Sequence, residues 1–158
     1  PKKYKRPEIK IEIRQCKTKD WRIFQKYHYM STNLNPSAKC FIGYIDNNPV
    51  CFFAVLHFPH PHVKNFKKGH RLVVLPDYQG LGIGHIFSSE IAQDFVDKGF
   101  RFIITSSTKS LYNQRAKDER WKVTRKGRTS NTAVKTGILR DTISNNKLTY
   151  SYEYVGLK

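Results

Sequence analysis

The stretch LPDYQGLGIG, residues 75–84, places glycines at three alternate positions directly after the apolar run RLVVL. Apolar side chains then recur near helical spacing from Ile83 to Val96, so the chain is predicted to pass from a buried strand through a glycine loop into a helix. Glycines let backbone N–H groups approach a ligand closely, and a helix N-terminus attracts anions. The segment therefore predicts a phosphate-binding turn.

Two common nucleotide-binding loops do not fit this spacing. A dinucleotide-binding G-x-G-x-x-G motif beginning at Gly80 would need its third glycine where the sequence has His85. A P-loop would need Lys and Ser or Thr directly after Gly84, where His85 and Ile86 stand. The remaining pattern of strand, glutamine, G-x-G-x-G and helix favours a loop that binds a pyrophosphate.

The rest of the chain predicts an α/β or α+β domain with a mixed sheet. Strands are predicted at IKIEIRQC, KCFIGYI, VCFFAVLHF, RLVVL, FRFIIT, RWKVTRK and LTYSYEYV, and helices after Thr18, after the glycine loop and over TKSLYNQRAKDER. The DNNP sequence between KCFIGYI and VCFFAVLHF predicts an antiparallel hairpin. We expect a single domain over residues 1–158, with a basic arm at 1–8 and a loop-rich segment at 127–146.

The net charge points to a polyanionic partner. The chain carries 29 Lys and Arg against 12 Asp and Glu, a formal charge of +17, and a surface field of this size attracts nucleic acid. We expect DNA as the main partner and RNA as the alternative. Basic residues crowd the N-terminal arm and the stretch from Lys109 to Arg128, where aromatic residues are interleaved. The predicted contacts in that stretch are Tyr112, Arg120, Trp121, Lys122, Arg125 and Arg128.

Other features limit the class of protein. No segment approaches the roughly 18 consecutive apolar residues of a membrane span, and the N-terminus lacks the apolar core of a signal peptide. These features predict a soluble, cytoplasmic protein without a membrane partner. The three cysteines include no C-x-x-C pair and are expected to be reduced and buried in strands. Because the chain begins at Pro1, we expect it to be processed or excised from a longer protein.

Histidines form two further signals. YHYMS, residues 27–31, puts His28 and Tyr29 at the end of the first predicted helix, where His28 could act as a general base near neutral pH and Tyr29 as a hydrogen-bond donor or stacking surface. The histidine-rich stretch from His57 to His70 is interpreted as a loop beside the acceptor groove, and we predict no metal. A loop-borne metal site is the alternative.

The segment VVLPDYQGLGIGHIF resembles the GNAT superfamily of acyl-CoA-dependent N-acyltransferases, whose Q/R-x-x-G-x-G/A signature it matches from Gln79 to Gly84. The resemblance implies a mixed, mostly antiparallel sheet flanked by helices. It also implies a notch where the strand RLVVL splays from the strand FRFIIT. Acetyl-CoA or another acyl-CoA would be the cofactor, held by Leu75, Tyr78, Gln79, Gly80, Leu81, Gly82, Ile83 and Gly84.

One position departs from the family pattern. Many members carry a tyrosine in the second conserved helix, about five residues before an aromatic residue that opens the next strand, and this tyrosine can protonate the leaving thiolate. If Trp121 is that aromatic residue, the position falls on Ala116. Tyr112, one turn earlier, is a candidate substitute.

Within the superfamily, the His28–Tyr29 pair, PDYQGLGIG, TSST and RWKVTRKGR resemble phage Mom-type DNA adenine-modifying proteins and similar domains fused to ABC-type ATPases. The resemblance implies addition of a carbamoylmethyl-type group to adenine N6, and a fused or associated ATPase. The residues it implies around the acceptor are His28, Tyr29, Tyr44, Ser106 and Asp118. Two alternatives stay open: an N-acetyltransferase acting on tRNA or a protein amine, and a non-catalytic nucleic-acid-binding module.

Overall fold

The computed structural model describes residues 8–28, 33–128 and 148–157, and within these ranges the backbone forms a seven-stranded sheet. The spatial order is β1-β2-β3-β4-β5-β7-β6, and every neighbouring pair except β4–β5 is antiparallel. The predicted mixed, mostly antiparallel sheet is confirmed. The strands are β1 Glu12–Cys16, β2 Lys39–Ile45, β3 Asn48–His57, β4 Phe66–Val74, β5 Arg101–Ser106, β6 Trp121–Arg128 and β7 Leu148–Tyr154.

Two helices and three 3₁₀ segments complete the described fold. Helix α1 spans Ile83–Asp97 and α2 spans Lys109–Ala116, and one 3₁₀ segment, Pro76–Tyr78, follows β4. Between β1 and β2 the chain forms two 3₁₀ helices, Thr18–Ile23 and Gln25–Tyr27, where the sequence predicted one helix. The spacing of three residues between Trp21 and Phe24 suits the 3₁₀ period, which puts both rings on one side. Both rings are buried.

The β2–β3 hairpin forms as predicted. Its turn places Asp46 at φ 48° and Asn47 at φ 62°, left-handed values that Asp and Asn tolerate better than most residues. Strand β7 also follows its sequence pattern, because Tyr150, Tyr152 and Tyr154 are buried on one face.

Each face of the sheet has its own core. On one face α1 packs through Ile83, Phe87, Ile91 and Phe95 against inward side chains of β3, β5 and β7. On the other face the 3₁₀ helices place Trp21 and Phe24 over side chains of β2, β3 and β4. The second layer therefore covers the half of the sheet that contains β2–β4.

Strand β4 is longer than predicted and leaves its parallel neighbour halfway along. It begins at Phe66, inside the stretch interpreted as a histidine-rich loop, and pairs with β5 only from Phe66 to Lys68. At Gly69 a β-carbon would lie 2.9 Å from Ile104 Cδ1, so glycine makes room for the Ile104 side chain where the strands separate. The predicted splay between these strands is confirmed.

The predicted state of the cysteines also agrees with the structure. Cys16, Cys40 and Cys51 are free thiols in strands, with Cys40 and Cys51 buried and Cys16 partly exposed. In the ranges that the structure describes, no helix is long and apolar enough to cross a membrane. Residues 1–7 of the predicted basic arm and residues 129–146 of the predicted loop-rich segment lie outside the described residues.

Candidate functional site

A cleft of about 410 Å³ opens where β4 and β5 separate. One wall is the glycine loop with the first turn of α1, and another is the end of β4 from Leu72 to Val74. Tyr27, His28 and residues of α2 also line the cleft. The volume falls in the range of small-molecule sites.

The glycine loop has a backbone conformation that favours glycine and leads directly into helix α1. Gly80 and Gly82 take φ values of 81° and 78°, which favour glycine, and Gly82 is the N-cap of α1. The Gln79 side chain donates a hydrogen bond from Nε2 to the Val74 carbonyl at 3.0 Å, tying the loop to the end of β4. The first N–H groups of α1 have no intrahelical acceptor. The loop therefore presents an anion-binding helix end to the cleft.

Most of the predicted cofactor residues line this cleft. Those that do are Tyr78, Gln79, Gly80, Gly82, Ile83 and Gly84. The other two take different places: Leu75 packs at the edge of the second core, and the Leu81 side chain is 52% exposed on the loop. We predicted that the backbone groups of Leu75 and Leu81 hold the cofactor, and this stays a prediction.

His28 lies at the end of the second 3₁₀ helix and lines the cleft. Its ring contacts Trp21 edge-on, with centroids 5.8 Å apart. Burial, with a smaller effect from Arg71, lowers the pKa of His28 to about 4. The imidazole is therefore neutral at pH 7. Tyr29 lies outside the described residues.

Asp118, a predicted catalytic residue, belongs to a charged network beside the cleft. Its Oδ2 lies 2.8 Å from Nε2 of His85 and 2.7 Å from Nη2 of Arg120. Hydrogen bonds from Arg120 hold the pKa of Asp118 well below its usual range, so this group is a carboxylate. His85 lines the cleft, whereas Asp118 is not among the cleft residues and contacts one of them, His85. Sequence analysis used His85 only to exclude loop types and missed its position.

Three other predicted residues lie away from the cleft. Ser106 Oγ accepts a hydrogen bond from the Thr108 N–H at 3.1 Å, which shapes the turn into α2. Tyr44 lies near the β1 edge of the sheet, under the Arg14 guanidinium at 4.4 Å. Tyr112 stacks on Tyr150, and neither ring is among the cleft residues. The structure therefore does not bring these three side chains together with His28.

The side chains of α2 that do line the cleft were not singled out from the sequence. They are Thr108, Ser110, Leu111 and Gln114, from the helix and its N-cap. Leu111 and Gln114 are three residues apart, so they share a helix face. This spacing could have indicated which side of α2 faces the cleft. The sequence alone did not decide it, because most residues of α2 are polar.

The basic and aromatic residues predicted to contact nucleic acid divide into exposed and buried groups. Lys122 and Arg125 are exposed on β6, an edge strand, whereas Trp121 is buried and Arg120 is paired with Asp118. Arg128, at the end of β6, is also exposed. The exposed basic side chains of this region therefore lie along the strand.

Register places Lys122 and Arg125 on a defined face of the sheet. Lys122 pairs with Glu153 and Arg125 with Ser151, residues that alternate along β7 with the tyrosines packed under α1. Arg101 of β5 lies on the same face, but its guanidinium is paired with Glu153, with Nε donating to Oε1 at 2.7 Å. We call Lys122 and Arg125 the basic strip. It lies on the face of the sheet opposite α1, the same face that the 3₁₀ helices cover over β2–β4.

The histidine-rich loop forms a separate shallow surface. His57, His60, Pro59 and Lys64 line it, and His60 stacks on Phe66 with centroids 5.8 Å apart. His70 belongs to β4 and lies at a bulge, where Ala54 pairs with Arg71 and Val55 with Gly69. Across residues 8–28, 33–128 and 148–157, no three His, Cys, Asp or Glu side chains are grouped so that they could hold a metal ion.

Comparison with known proteins agrees with this geometry. The model of the acetyltransferase (GNAT) family matches residues 7–118. No curated protein matches the chain.

Solved structures share the fold at low identity. A Bacillus subtilis acetyltransferase in complex with CoA is 9% identical with a TM-score of 0.63, covering 96% of this chain and 100% of its own. A GNAT family acetyltransferase from Elizabethkingia anophelis with acetyl-CoA bound is 11% identical, with a TM-score of 0.62 and coverages of 93% and 98%. The ribosomal-protein-S18-alanine N-acetyltransferase from Escherichia coli is 12% identical, with a TM-score of 0.62 and coverages of 94% and 96%.

Proposed function

Because the chain belongs to the acetyltransferase (GNAT) family, we propose that it transfers an acyl group from an acyl-CoA to an amine carried by nucleic acid. Adenine N6 in DNA is the first acceptor to test. One observation carries the choice of acceptor: the cleft residue His28 and the basic strip of Lys122 and Arg125 lie on the same face of the sheet.

The cleft suits the cofactor at its phosphate end. A β-carbon at Gly80 would meet nothing within 4 Å, so the space beside the loop is open. At Gly82 the nearest side-chain atom would be Gln114 Nε2 at 3.7 Å. A pyrophosphate in this space would receive N–H donors from the loop and the first turn of α1, together with the favourable helix dipole.

His28 is the proposed general base. An acyl-CoA supplies a thioester, which an amine can attack at the carbonyl carbon. The exocyclic amine of adenine is a weak nucleophile because its lone pair is delocalised into the ring, so removal of its proton must accompany bond formation. His28 Nδ1 or Nε2 would accept that proton, since the ring is neutral at pH 7. Asp118 reaches the cleft only through His85 and is not assigned this role.

A hydroxyl group on α2 is the proposed proton donor to the departing thiolate. The family position for a tyrosine falls on Ala116, and Tyr112 is engaged with Tyr150. Among the described α2 residues that line the cleft, Ser110 carries a hydroxyl within the helix and Thr108 carries one at its N-cap. Ser110 is our first choice, because it lies within the helix itself, whereas Thr108 stands at the N-cap.

Positive charge supports the polyanionic acceptor. Lys and Arg contacts to phosphates supply salt-dependent affinity, and the formal charge of +17 provides them in excess. A duplex buries the adenine amine, so the base must leave the stack at a cost of a few kcal/mol. Phosphate contacts at the basic strip would offset this cost. Attack on the thioester would give an N6-acyl adenine and release CoA. The carbamoylmethyl-type group that the Mom-type resemblance implies is joined through a methylene carbon, which this step does not supply. That product and an associated ATPase therefore stay predictions.

The direct test is product analysis. The protein is incubated with acetyl-CoA and, in parallel, with duplex DNA, single-stranded DNA, charged tRNA and a peptide with a free N-terminus; the DNA is then digested to nucleosides for mass spectrometry. A mass-shifted deoxyadenosine with DNA is the expected result. Acetylated aminoacyl-tRNA or peptide without modified DNA would show that the acceptor is tRNA or a protein amine and not DNA. Binding of nucleic acid without any binding of CoA would favour the non-catalytic module.

A further inference from the structure

His85 occupies a position between the glycine loop and a fixed carboxylate. It is in the first turn of α1, directly after Gly84, and lines the cleft. Its side chain is 13% exposed, and its Nε2 lies 2.8 Å from Asp118 Oδ2. Its Nδ1 is buried and has no hydrogen-bond partner within the part of the chain that the structure describes.

Asp118 determines which ring nitrogen carries the proton. Arg120 donates to Asp118 from its backbone N–H at 3.0 Å and from its guanidinium at 2.7 Å, so the carboxylate is locked in place and ionised. An ionised carboxylate only accepts hydrogen bonds. Nε2 of His85 must therefore be the donor, and in the neutral ring Nδ1 carries a lone pair.

A lone pair at Nδ1 is the wrong partner for a phosphate oxygen, because both atoms are acceptors. A protonated ring removes this mismatch, since Nδ1 then donates a charge-assisted hydrogen bond. We propose that binding of the acyl-CoA pyrophosphate takes up one proton from solvent at His85 Nδ1, so that cofactor affinity is coupled to pH. This inference rests on the cofactor part of the proposed function and is independent of the acceptor.

The charges around His85 agree with such coupling. Asp118 faces the ring from the turn after α2, Arg115 from α2 itself and Arg120 from the residue before β6. In the free protein burial, opposed by the hydrogen bond to Asp118, lowers the pKa of His85, so the ring is neutral at pH 7. A bound anion favours the charged form and raises this pKa. Protonation therefore accompanies binding rather than preceding it.

The experiment measures protons directly. Binding of acetyl-dephospho-CoA is followed by isothermal titration calorimetry at pH 6.5 in two buffers of different ionisation enthalpy. This probe keeps the pyrophosphate and lacks the 3′-phosphate, whose own titration near pH 6 would add protons. We expect uptake on the order of half a proton per molecule bound. Affinity should also fall by up to about tenfold from pH 6 to pH 8.

Two variants separate this role from a structural one. His85→Gln should bind without proton uptake and with a flat pH profile, whereas the control His62→Gln, in the exposed loop, should match the wild type. In Asp118→Asn the amide can donate to Nε2, which leaves the proton of a neutral ring on Nδ1. This variant should bind the probe with little proton uptake.

Proton uptake that persists in His85→Gln, or binding by the wild type with no uptake, would overturn the inference and leave the cofactor assignment intact. If the folded wild type binds acetyl-CoA but not the probe, the 3′-phosphate and not the pyrophosphate determines cofactor affinity, which would overturn the inference about His85. Failure to bind either molecule would overturn the cofactor function itself.

Discussion

The ring of Tyr112 on α2 stacks on the ring of Tyr150 on β7, with centroids 4.3 Å apart and planes inclined by 24°. Lys126 lies over both rings at 5.8 Å. This contact fixes Tyr112 on the side of α2 away from the cleft residues Leu111 and Gln114. Its contribution is therefore packing, which depends on the ring and not on the hydroxyl.

Two substitutions on α2 follow from this contact. Tyr112→Phe keeps the stacked ring, so kcat should stay within about twofold of the wild type. Ser110→Ala removes the hydroxyl proposed to protonate the leaving thiolate, and kcat should fall by about tenfold or more, towards the range for loss of a general acid. Steady-state kinetics with acetyl-CoA and the acceptor found by product analysis measure both. A large loss in Tyr112→Phe with none in Ser110→Ala would restore the tyrosine as the acid.

His28 should be required for turnover and dispensable for cofactor binding. His28→Gln keeps the size and polarity of the side chain but removes the base, so kcat should fall by roughly 10²–10⁴. The Kd for CoA should change little, because the proposed pyrophosphate donors are N–H groups of the glycine loop and the first turn of α1, not His28. Calorimetry and single-turnover assays separate the two quantities. Equal losses of binding and turnover would make His28 a structural residue.

The backbone conformation of the glycine loop predicts a matched pair of variants. Gly82→Ala puts a β-carbon on a residue at φ 78°, which costs about 1–2 kcal/mol and moves the start of α1. Gly99→Ala introduces the same strain at φ 86°, beyond the other end of α1. Both should lower the free energy of unfolding to a similar degree, and only Gly82→Ala should weaken CoA binding, by about tenfold. Equal CoA affinities in the two variants would argue against the loop as the cofactor site.

The local part of the fold was predictable from the sequence because local periodicity determined it. The alternation of Tyr150, Tyr152 and Tyr154 gave β7, and the apolar spacing after Gly82 gave α1. The type of the first helix was harder to predict, since the three-residue spacing of Trp21 and Phe24 suits an α-helix and a 3₁₀ helix alike.

The candidate site was only half predictable, for a related reason. Its glycine loop is contiguous in sequence, whereas the His85–Asp118 contact joins residues 33 positions apart and depends on how α1 and the turn after α2 pack. The direction in which Tyr112 points depends on its contact with β7, which no local pattern encodes.

Stability should fall in mild acid. Burial, with a smaller effect from Arg71, lowers the pKa of His28 and of His70 to about 4, below their ordinary value of 6.5. Between these two pH values the unfolded chain binds protons that the folded chain does not, so the free energy of unfolding decreases as pH falls from about 6.5 to 4. Above pH 6.5 this contribution is fully present.

We expect about 1 kcal/mol for each histidine, because both are partly exposed to solvent. Urea denaturation from pH 7.5 to pH 4.5 measures the effect, and the double variant His28→Gln/His70→Gln should flatten the profile in this window. A control variant, His57→Gln/His62→Gln in the histidine-rich loop, should keep the wild-type profile. An unchanged profile in the first variant would place the acid sensitivity elsewhere.

The basic strip predicts how nucleic-acid binding depends on salt. Each phosphate contact contributes about 0.9 to the slope of log Kobs against log salt concentration for duplex DNA. Lys122→Ala/Arg125→Ala should therefore reduce the slope by about two and weaken binding to all sequences alike. Lys98→Ala removes a lysine that pairs with Asp94 near the end of α1, on the other face of the sheet, and should leave the slope unchanged. Fluorescence anisotropy with a labelled duplex at several salt concentrations gives both slopes. If the two variants lower the slope equally, DNA is attracted by the overall charge of the protein and not by the basic strip.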